Sequence, residues 1–382
     1  MKILIVSLSP LHRDPRVLRQ IRHLSQKHEV FCIGYSKPSI PGVKYIGIPS
    51  PHHSIIEKFI LALLLVFRIY PIFMKRYYNQ LTDCLNRLSE ISFDLIIAND
   101  IDSLPAVIDN GWSHRSKILF DAHEYAPLEQ EDELYWRILF KPYRTYLCKQ
   151  YLKYPDAMIT VSKGIADKYH TVFGVSPSVI PNASDYIDIS PQPVNEKSIR
   201  IIHHGLAVPS RQIETMIDVM NYTDSRFFLD LMLIVPGGCE RYYRKLKRLA
   251  GSMKSVKIIE PVPFQEIVQV SNRYDIGLFI LTPTNNFNKL HVLPNKIFEF
   301  VQARLAIAVG PSPEMKQLVH KYDLGIVAND FSAKTMADIL NRLTAADIMH
   351  YKEMAHRAAR ILSSESSMEI LDQVISGLYP EN

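Results

Sequence analysis

The sequence predicts an α/β chain built from two doubly wound parallel sheets, and three observations predict it. Short apolar runs alternate with helical patterns from end to end. Runs such as Leu95, Ile96, Ile97 and Ile118, Leu119, Phe120 are continuously apolar, as strands covered on both faces of a parallel sheet must be. The alternation then stops over 183–198, a polar stretch with two prolines, and resumes beyond it.

In the first half the pattern predicts strands at 3–8, 30–34, 45–48, 95–98, 118–120, 158–161 and 179–180, with helices between most of them. In the second half it predicts strands at 199–203, 228–235, 256–259, 276–281, 306–309 and 325–327. Helices are expected near 210–220, 241–250, 264–272, 295–303, 313–320 and 332–343, and more helix from about 345 to 378. No repeat of 20–50 residues intervenes. The expected organisation is an N-terminal Rossmann-like domain over 1–182, a linker over 183–198 and a C-terminal Rossmann-like domain over 199–365. Ligands of such open sheets bind outside the carboxyl ends of the strands, so a cleft between the two sheets is the expected site.

Composition excludes several classes. With 382 residues, 47% of them hydrophobic, the chain is long and apolar enough for two full cores. The four cysteines form no CxxC pair, which argues against a structural zinc site or a disulfide framework and fits a reducing cytoplasm. The net charge of +5, from 44 basic and 39 acidic residues, is modest for a nucleic-acid binder, and none is expected as partner. The N-terminus reads as a first strand and not as a secretion signal. The run 59–74 is the most apolar stretch, but it spans 16 residues and is broken by Arg68 and Pro71, too short to cross a membrane. Residues 137–153 carry Arg137, Lys141, Arg144, Lys149 and Lys153 with no acid, and 12–27 carry five cations against Asp14 alone. Beside the apolar run, these suit an anionic membrane surface. Solvated helix faces and one buried helix account for the same pattern equally well.

Four segments carry candidate chemistry. In 291–303, Pro294 suits the first helical position, Ile297, Phe300 and Val301 form an apolar face, and Lys296 and Glu299 share another. A helix start with Asn295 and Lys296 attracts a diphosphate, and Glu299 can accept both hydroxyls of a ribose. An ordinary surface ion pair between Lys296 and Glu299 is the alternative. In 203–214 a strand ends at His203 and His204, Gly205 makes the turn, and Arg211 is placed as a phosphate clamp unless it pairs with Glu214. In 120–127 a buried strand ends and offers Asp121, His123 and Glu124 at its carboxyl edge. His123 would hydrogen-bond a sugar hydroxyl or steady charge on the reacting sugar, with Asp121 and Glu124 orienting it. In 9–22, Asp14, Pro15 and Arg16 form a helix cap and first turn, and Arg16 is expected to reach the cleft. The absence of glycine between Met1 and Ile33 excludes the GxGxxG fingerprint of a dinucleotide oxidoreductase. Asp100 and Asp102 form a DxD triplet and are set aside as chance; Pro236, Gly237 and Gly238 read as a strand-to-helix turn.

These residues resemble the retaining glycosyltransferases of family 4, which have the two-Rossmann-domain GT-B fold. The carriers are Asp14, Pro15 and Arg16; Asp121 to Glu124; Val179 to Asn182; His204 and Gly205 through Arg211; Leu233 to Gly237; and, most specific, Leu293 through Ala303. The resemblance implies a donor-binding C-terminal domain using Gly205, Arg211, His291, Asn295, Lys296 and Glu299. It implies an N-terminal acceptor domain with His123 near the transferring sugar, Asp121 and Glu124 beside it, and Asp14 and Arg16 on the acceptor side. It also implies that residues 366–382 return as a helix to the first domain, and that 261–263 lie near the base. His291 departs from the glutamate that many relatives carry eight residues before the ribose-binding one. The expected activity is metal-independent, cofactor-free transfer of a hexosyl group, with retention, from a nucleotide diphosphate sugar to a lipid-linked or polysaccharide acceptor in bacterial surface glycan synthesis. The expected place is the cytoplasm, peripheral to the inner face of the membrane. A nucleotide-sugar 2-epimerase and a non-catalytic partner subunit of a transferase are the alternatives.

Overall fold

The computed structural model describes residues 1–50 and 54–379, in two compact units. The first contains Met1–Pro181, Asn285–Asn288 and the chain from Met368 onward; the second contains Asn182–Thr284 and Lys289–Ser367. The three last residues of the expected helix 366–382, from 380 on, lie outside the described residues.

The first unit holds a seven-stranded sheet: β1 (Lys2–Val6), β2 (Glu29–Gly34), β3 (Lys44–Gly47), β4 (Leu95–Asn99), β5 (Lys117–Ala122), β6 (Ala157–Thr160) and β7 (Ser178–Val179), in the order β3-β2-β1-β4-β5-β6-β7. The second holds six: β8 (Ile199–Leu206), β9 (Phe227–Ile234), β10 (Val256–Ile259), β11 (Ile276–Phe279), β12 (Ala306–Val309) and β13 (Gly325–Val327), in the order β10-β9-β8-β11-β12-β13. Every pairing is parallel. All thirteen predicted strands are present. Their continuous apolar runs are covered on both faces: Ile3, Leu4, Ile5 and Val6 of β1 are fully buried. Ile3 and Ile5 pack with Val17 and Ile21 of the helix Pro15–Leu24 and with Met368, Leu371 and Ile375 of the helix Ser364–Gly377. Leu4 and Val6 join the opposite layer with Phe73, Leu81 and Leu104.

Strand order reverses between β1 and β4 in the first unit and between β8 and β11 in the second. Chains diverge at such switch points and open a crevice at the carboxyl edge. A polar side chain bridges the diverging strands at each. Asn99 donates across to the carbonyl of Val6 at 3.4 Å, and His203 Nδ1 donates to the carbonyl of Leu278 at 3.0 Å.

Local differences from the sequence reading have physical causes. The run 59–74 is two helices, Ile55–Val66 and Tyr70–Tyr77, parted where Arg68 takes φ of 56° and Pro71 starts the second. One face of them is exposed, so the reading as a buried helix is corrected. Among the described residues no helix is long and apolar enough to cross a membrane. Pro294 is extended (ψ 151°) and precedes the helix Asn295–Gln302 as its N-cap, so it does not occupy the first helical position. The stretch 345–378 is two helices, Ala345–Ala358 and Ser364–Gly377. Residues 183–198 hold no helix or strand, yet they are tied to the second unit: Arg304 donates to the carbonyl of Ile187 at 2.7 Å, and Ile187 N donates to Gln302 Oε1 at 3.3 Å.

Candidate functional site

In the second unit the residues singled out in the sequence converge on the switch point. The helix Asn295–Gln302 lies against β11 because Gly277 has no side chain: a Cβ there would stand 2.4 Å from the ring of Phe300. That seating fixes where Lys296 and Glu299 emerge. Lys296 Nζ stands 3.3 Å from His203 Nε2 and 4.5 Å from the centroid of the Phe279 ring. The His203 tautomer follows from its partners. Nδ1 faces a carbonyl and must carry the proton, so Nε2 is a bare acceptor for the Lys296 ammonium. Gly205, at φ of +138°, brings backbone close beneath it; a Cβ would lie 3.2 Å from Lys296 Nζ.

Electrostatics mark this as a place where positive charge is crowded. Burial, and then the neighbouring Arg211 guanidinium, push the Lys296 ammonium well below its usual range, with Glu299 opposing. Burial and Lys296 push His203 well down and His204 to about 3, so both imidazoles are neutral at pH 7. Glu299 is 5% exposed, its Oε2 3.4 Å from His204 Nε2. It is therefore not half of a surface ion pair. Arg211 ends a short turn, Pro209–Arg211. Glu214, its expected alternative partner, is held instead by Lys245 at 2.7 Å and by Tyr242. Asn295 opens the helix, partly buried. His291 Nδ1 lies 3.1 Å from Glu314 Oε1, and Glu314 is nearly buried in the first turn of the helix Pro313–Tyr322. A carboxylate thus stands beside the histidine that replaces the expected one; nothing in the sequence tied position 314 to 291. Two neutral buried histidines inside β8 were also not foreseen as a pair: the strand runs on to Leu206, so the strand end expected at His203 and His204, with a turn at Gly205, is corrected.

In the first unit, β5 delivers Asp121 to Glu124 at the carboxyl edge. Here Arg16 departs from its expected place in the cleft, and Asp121 stands 3.7 Å from the His123 it was expected to orient. Asp121 is fully buried and cannot meet a substrate: Arg16 donates to both its oxygens at 2.7 Å, and Gln20 donates as well, at 2.5 Å. Arg16 does not reach into open space either: it is 6% exposed, and its Nη1 donates to the carbonyl of Ile180 at 2.8 Å. Burial opposes the Asp121 charge, but Arg16 and His123 hold the carboxyl well below its usual range. Both residues position their neighbours. Asp14 caps the helix Pro15–Leu24 by accepting from Val17 N at 3.2 Å, and it accepts from Ser9 Oγ at 2.8 Å. Glu124 is exposed at the edge.

His123 is gripped by acid from both sides. Nδ1 lies 3.5 Å from Asp100, Nε2 3.7 Å from Asp121 and 3.3 Å from Asn99 Oδ1. Burial lowers its affinity for a proton, but Asp100 and Asp121 outweigh that and raise the pKa to about 9. An imidazolium is a donor to hydroxyls and repels positive charge. The DxD residues set aside as chance are part of this edge: Asp100, left-handed at φ of 60°, faces His123, and Asp102 pairs with Arg144 and accepts from Tyr78. The signal was their place directly after β4. Among the described residues no cluster of three or more His, Cys, Asp or Glu is arranged to hold a metal ion.

Comparison with known proteins settles the class. Residues 16–186 match the family model Glycosyltransferase Family 4. The chain carries a glycosyltransferase domain. Its fold is that of GT-B enzymes, which it shares over nearly its whole length with sucrose-phosphate synthase from Thermosynechococcus elongatus (13% identity, 99% of each chain covered, TM-score 0.73). The Anabaena protein HepE in complex with UDP and glucose is similar too (14% identity, 99% of this chain and 100% of that, TM-score 0.67). So is the trehalose-6-phosphate protein of E. coli bound with UDP-2-fluoro glucose (11% identity, 100% of each, TM-score 0.71). No curated protein matches in sequence. The resemblance read from the residues, the two-sheet fold and the glycosyltransferase class are borne out.

Proposed function

We propose that this glycosyltransferase moves a hexosyl group from a nucleotide diphosphate sugar, UDP-linked, to a polysaccharide or lipid-linked acceptor of bacterial surface glycan synthesis, with retention and without a metal. One observation carries the reading: the partly buried Lys296, its ammonium pushed down by burial and by Arg211, stands 3.3 Å from His203 at the β8/β11 switch point, with the buried carboxylate of Glu299 one turn along the same helix. A diphosphate would relieve both cations, and a pentose hydroxyl pair would meet the carboxylate. Two fold neighbours hold UDP with a sugar or sugar analogue, which supports the choice of nucleotide.

When the anomeric C–O bond breaks, negative charge grows on the leaving diphosphate. Arg211 and Lys296 would meet that charge. A fixed donor of this kind is worth about 3–4 kcal/mol in the barrier. His123, held as an imidazolium near neutral pH by the carboxylates of Asp100 and Asp121, would donate to a sugar hydroxyl. His291, backed by Glu314, would contact the transferred sugar. The acceptor side would be served by the carboxyl edge of the first sheet.

A thermal-shift screen of nucleoside diphosphates and their sugars tests this. UDP and a UDP-sugar stabilise the wild-type chain, and the stabilisation disappears in Arg211→Ala and Glu299→Ala. Stabilisation that survives both substitutions would overturn the reading. Product analysis separates the alternatives: an epimerase releases a free epimer without acceptor, and a partner subunit binds donor without turnover.

A further inference from the structure

The first unit presents an apolar ridge that the transfer chemistry does not use. Along the helix Ile55–Val66 and the turn after it, Ile55 is 87% exposed, Ile56 73%, Phe59 64%, Val66 55% and Phe67 68%. With Leu63 these positions fall within an arc of about 120° at helical spacing. The opposite face is seated in the core through Leu61 and Leu65. Ile69 and Ile72 extend the ridge into the next helix, and Leu134, Tyr135 and Ile138 extend it sideways, because the turn Trp136–Phe140 packs against the helix Ile55–Val66. Exposed apolar surface this continuous is a docking surface in a soluble chain.

Charge decides the occupant. Residues 54–78 and 134–141 carry Lys58, Arg68, Lys75, Arg76, Arg137 and Lys141 against one acid, Glu57. All but Lys141 are exposed among these cations. Of the acids just before the second segment, Glu131 and Asp132 accept from Phe287 N and Asn286 Nδ2, while Glu133 is exposed beside Leu134, so along the ridge six cations face the two acids Glu57 and Glu133. A second copy seated on the ridge by a two-fold axis would bring this cationic rim against itself. An anionic lipid surface meets both features at once, taking the apolar arc into its interface and the cations among its headgroups. We infer that the ridge Ile55–Phe67, with Leu134 and Ile138, inserts into the interface of an anionic membrane. Both segments are entered from the carboxyl ends of their strands, β3 and β5, the edge that also bears His123. Docking by the ridge therefore presents that edge to a lipid-linked acceptor. The inference stands on its own observation and holds even if the donor chemistry proposed above fails.

Vesicle sedimentation tests it, using phosphatidylcholine alone and phosphatidylcholine mixed with phosphatidylglycerol. The wild-type chain pellets with the anionic vesicles and, at least about tenfold more weakly, with the neutral ones; added salt weakens the anionic binding. The variant Ile56→Asp/Phe59→Asp/Val66→Asp stays in the supernatant, while its melting temperature and its UDP-induced thermal shift match wild type. Equal pelleting of variant and wild type would overturn the inference. So would wild-type chain left in the supernatant with both vesicles, or a wild-type dimer in solution that the same substitutions dissociate. Loss of the UDP shift in wild type would instead strike the donor reading and leave this one intact.

Discussion

Replacing Lys296 by Met separates the cost of this cation from its use. In the empty site the ammonium is disfavoured by burial and by Arg211, and it contributes one hydrogen bond to His203 and a contact over the Phe279 ring. Losing the hydrogen bond costs about 1 kcal/mol. Removing a desolvated cation beside another returns a similar amount, and the Met stem fills the same space. The empty variant should therefore unfold within about 1 kcal/mol of wild type, a change in melting temperature of about 2–4 °C at most for units of this size. Donor binding should respond very differently. A unit charge about 4 Å from a phosphate charge contributes about 4 kcal/mol at an effective dielectric of 20. Allowing for the desolvation that the wild-type lysine bears, about 2–4 kcal/mol is lost, a fall in UDP affinity of about 30- to 1000-fold. Titration calorimetry with UDP and thermal unfolding of the empty protein read the two quantities. A UDP affinity within threefold of wild type would refute the reasoning, as would a variant that is strongly destabilised when empty.

Three further outcomes follow from the same geometry. Asp121→Asn leaves the Arg16 charge buried without its partner and should cost about 3–5 kcal/mol in denaturant unfolding; a cost under about 1 kcal/mol would mean that the pair is not buried as described. His123 has its pKa raised from 6.5 to about 9, so its contribution to stability is complete below pH 6.5 and is lost as pH rises through 9. Between pH 7 and 10 wild type should lose up to about 3 kcal/mol that His123→Asn does not lose, and parallel pH profiles of the two would sink that assignment. Gly205→Ala places a Cβ against Lys296 Nζ on a backbone at φ of +138°, so it should cost about 1–3 kcal/mol of stability and also weaken UDP binding. Unchanged UDP affinity in a folded Gly205→Ala protein would place the diphosphate elsewhere.

The sheets were legible in the sequence because a buried parallel strand is apolar on both faces, and short runs such as Leu95 to Ile97, recurring between helical patterns, match that. The donor segment was legible because its residue types are informative: Pro294 beside a helix start, one position from where it was expected, and Gly205 where β8 takes φ of +138°. What escaped was pairing across long stretches of chain. Asp121 and Arg16 are 105 positions apart, and nothing local says that one buries and neutralises the other. Glu314 reaches His291 only through the seating of a separate helix. Lys352 is fully buried on Asp275 and the Tyr274 carbonyl, where a lysine in a helix reads as solvated. The Asp100 and Asp102 pair was dismissed by frequency, although its place at the end of β4 was the better guide. The run 59–74 showed its breaks at Arg68 and Pro71, but hydrophobicity alone cannot say which face is left bare.

The central claim is that one site in the second unit grips a nucleotide diphosphate, and a structure of the chain soaked with UDP tests it most directly. The account predicts the pyrophosphate on Arg211 and Lys296 above Gly205, with the ribose hydroxyls on Glu299. A nucleotide bound away from the carboxyl edge of β8 and β11, or bound there with its phosphates turned from both cations, would contradict it.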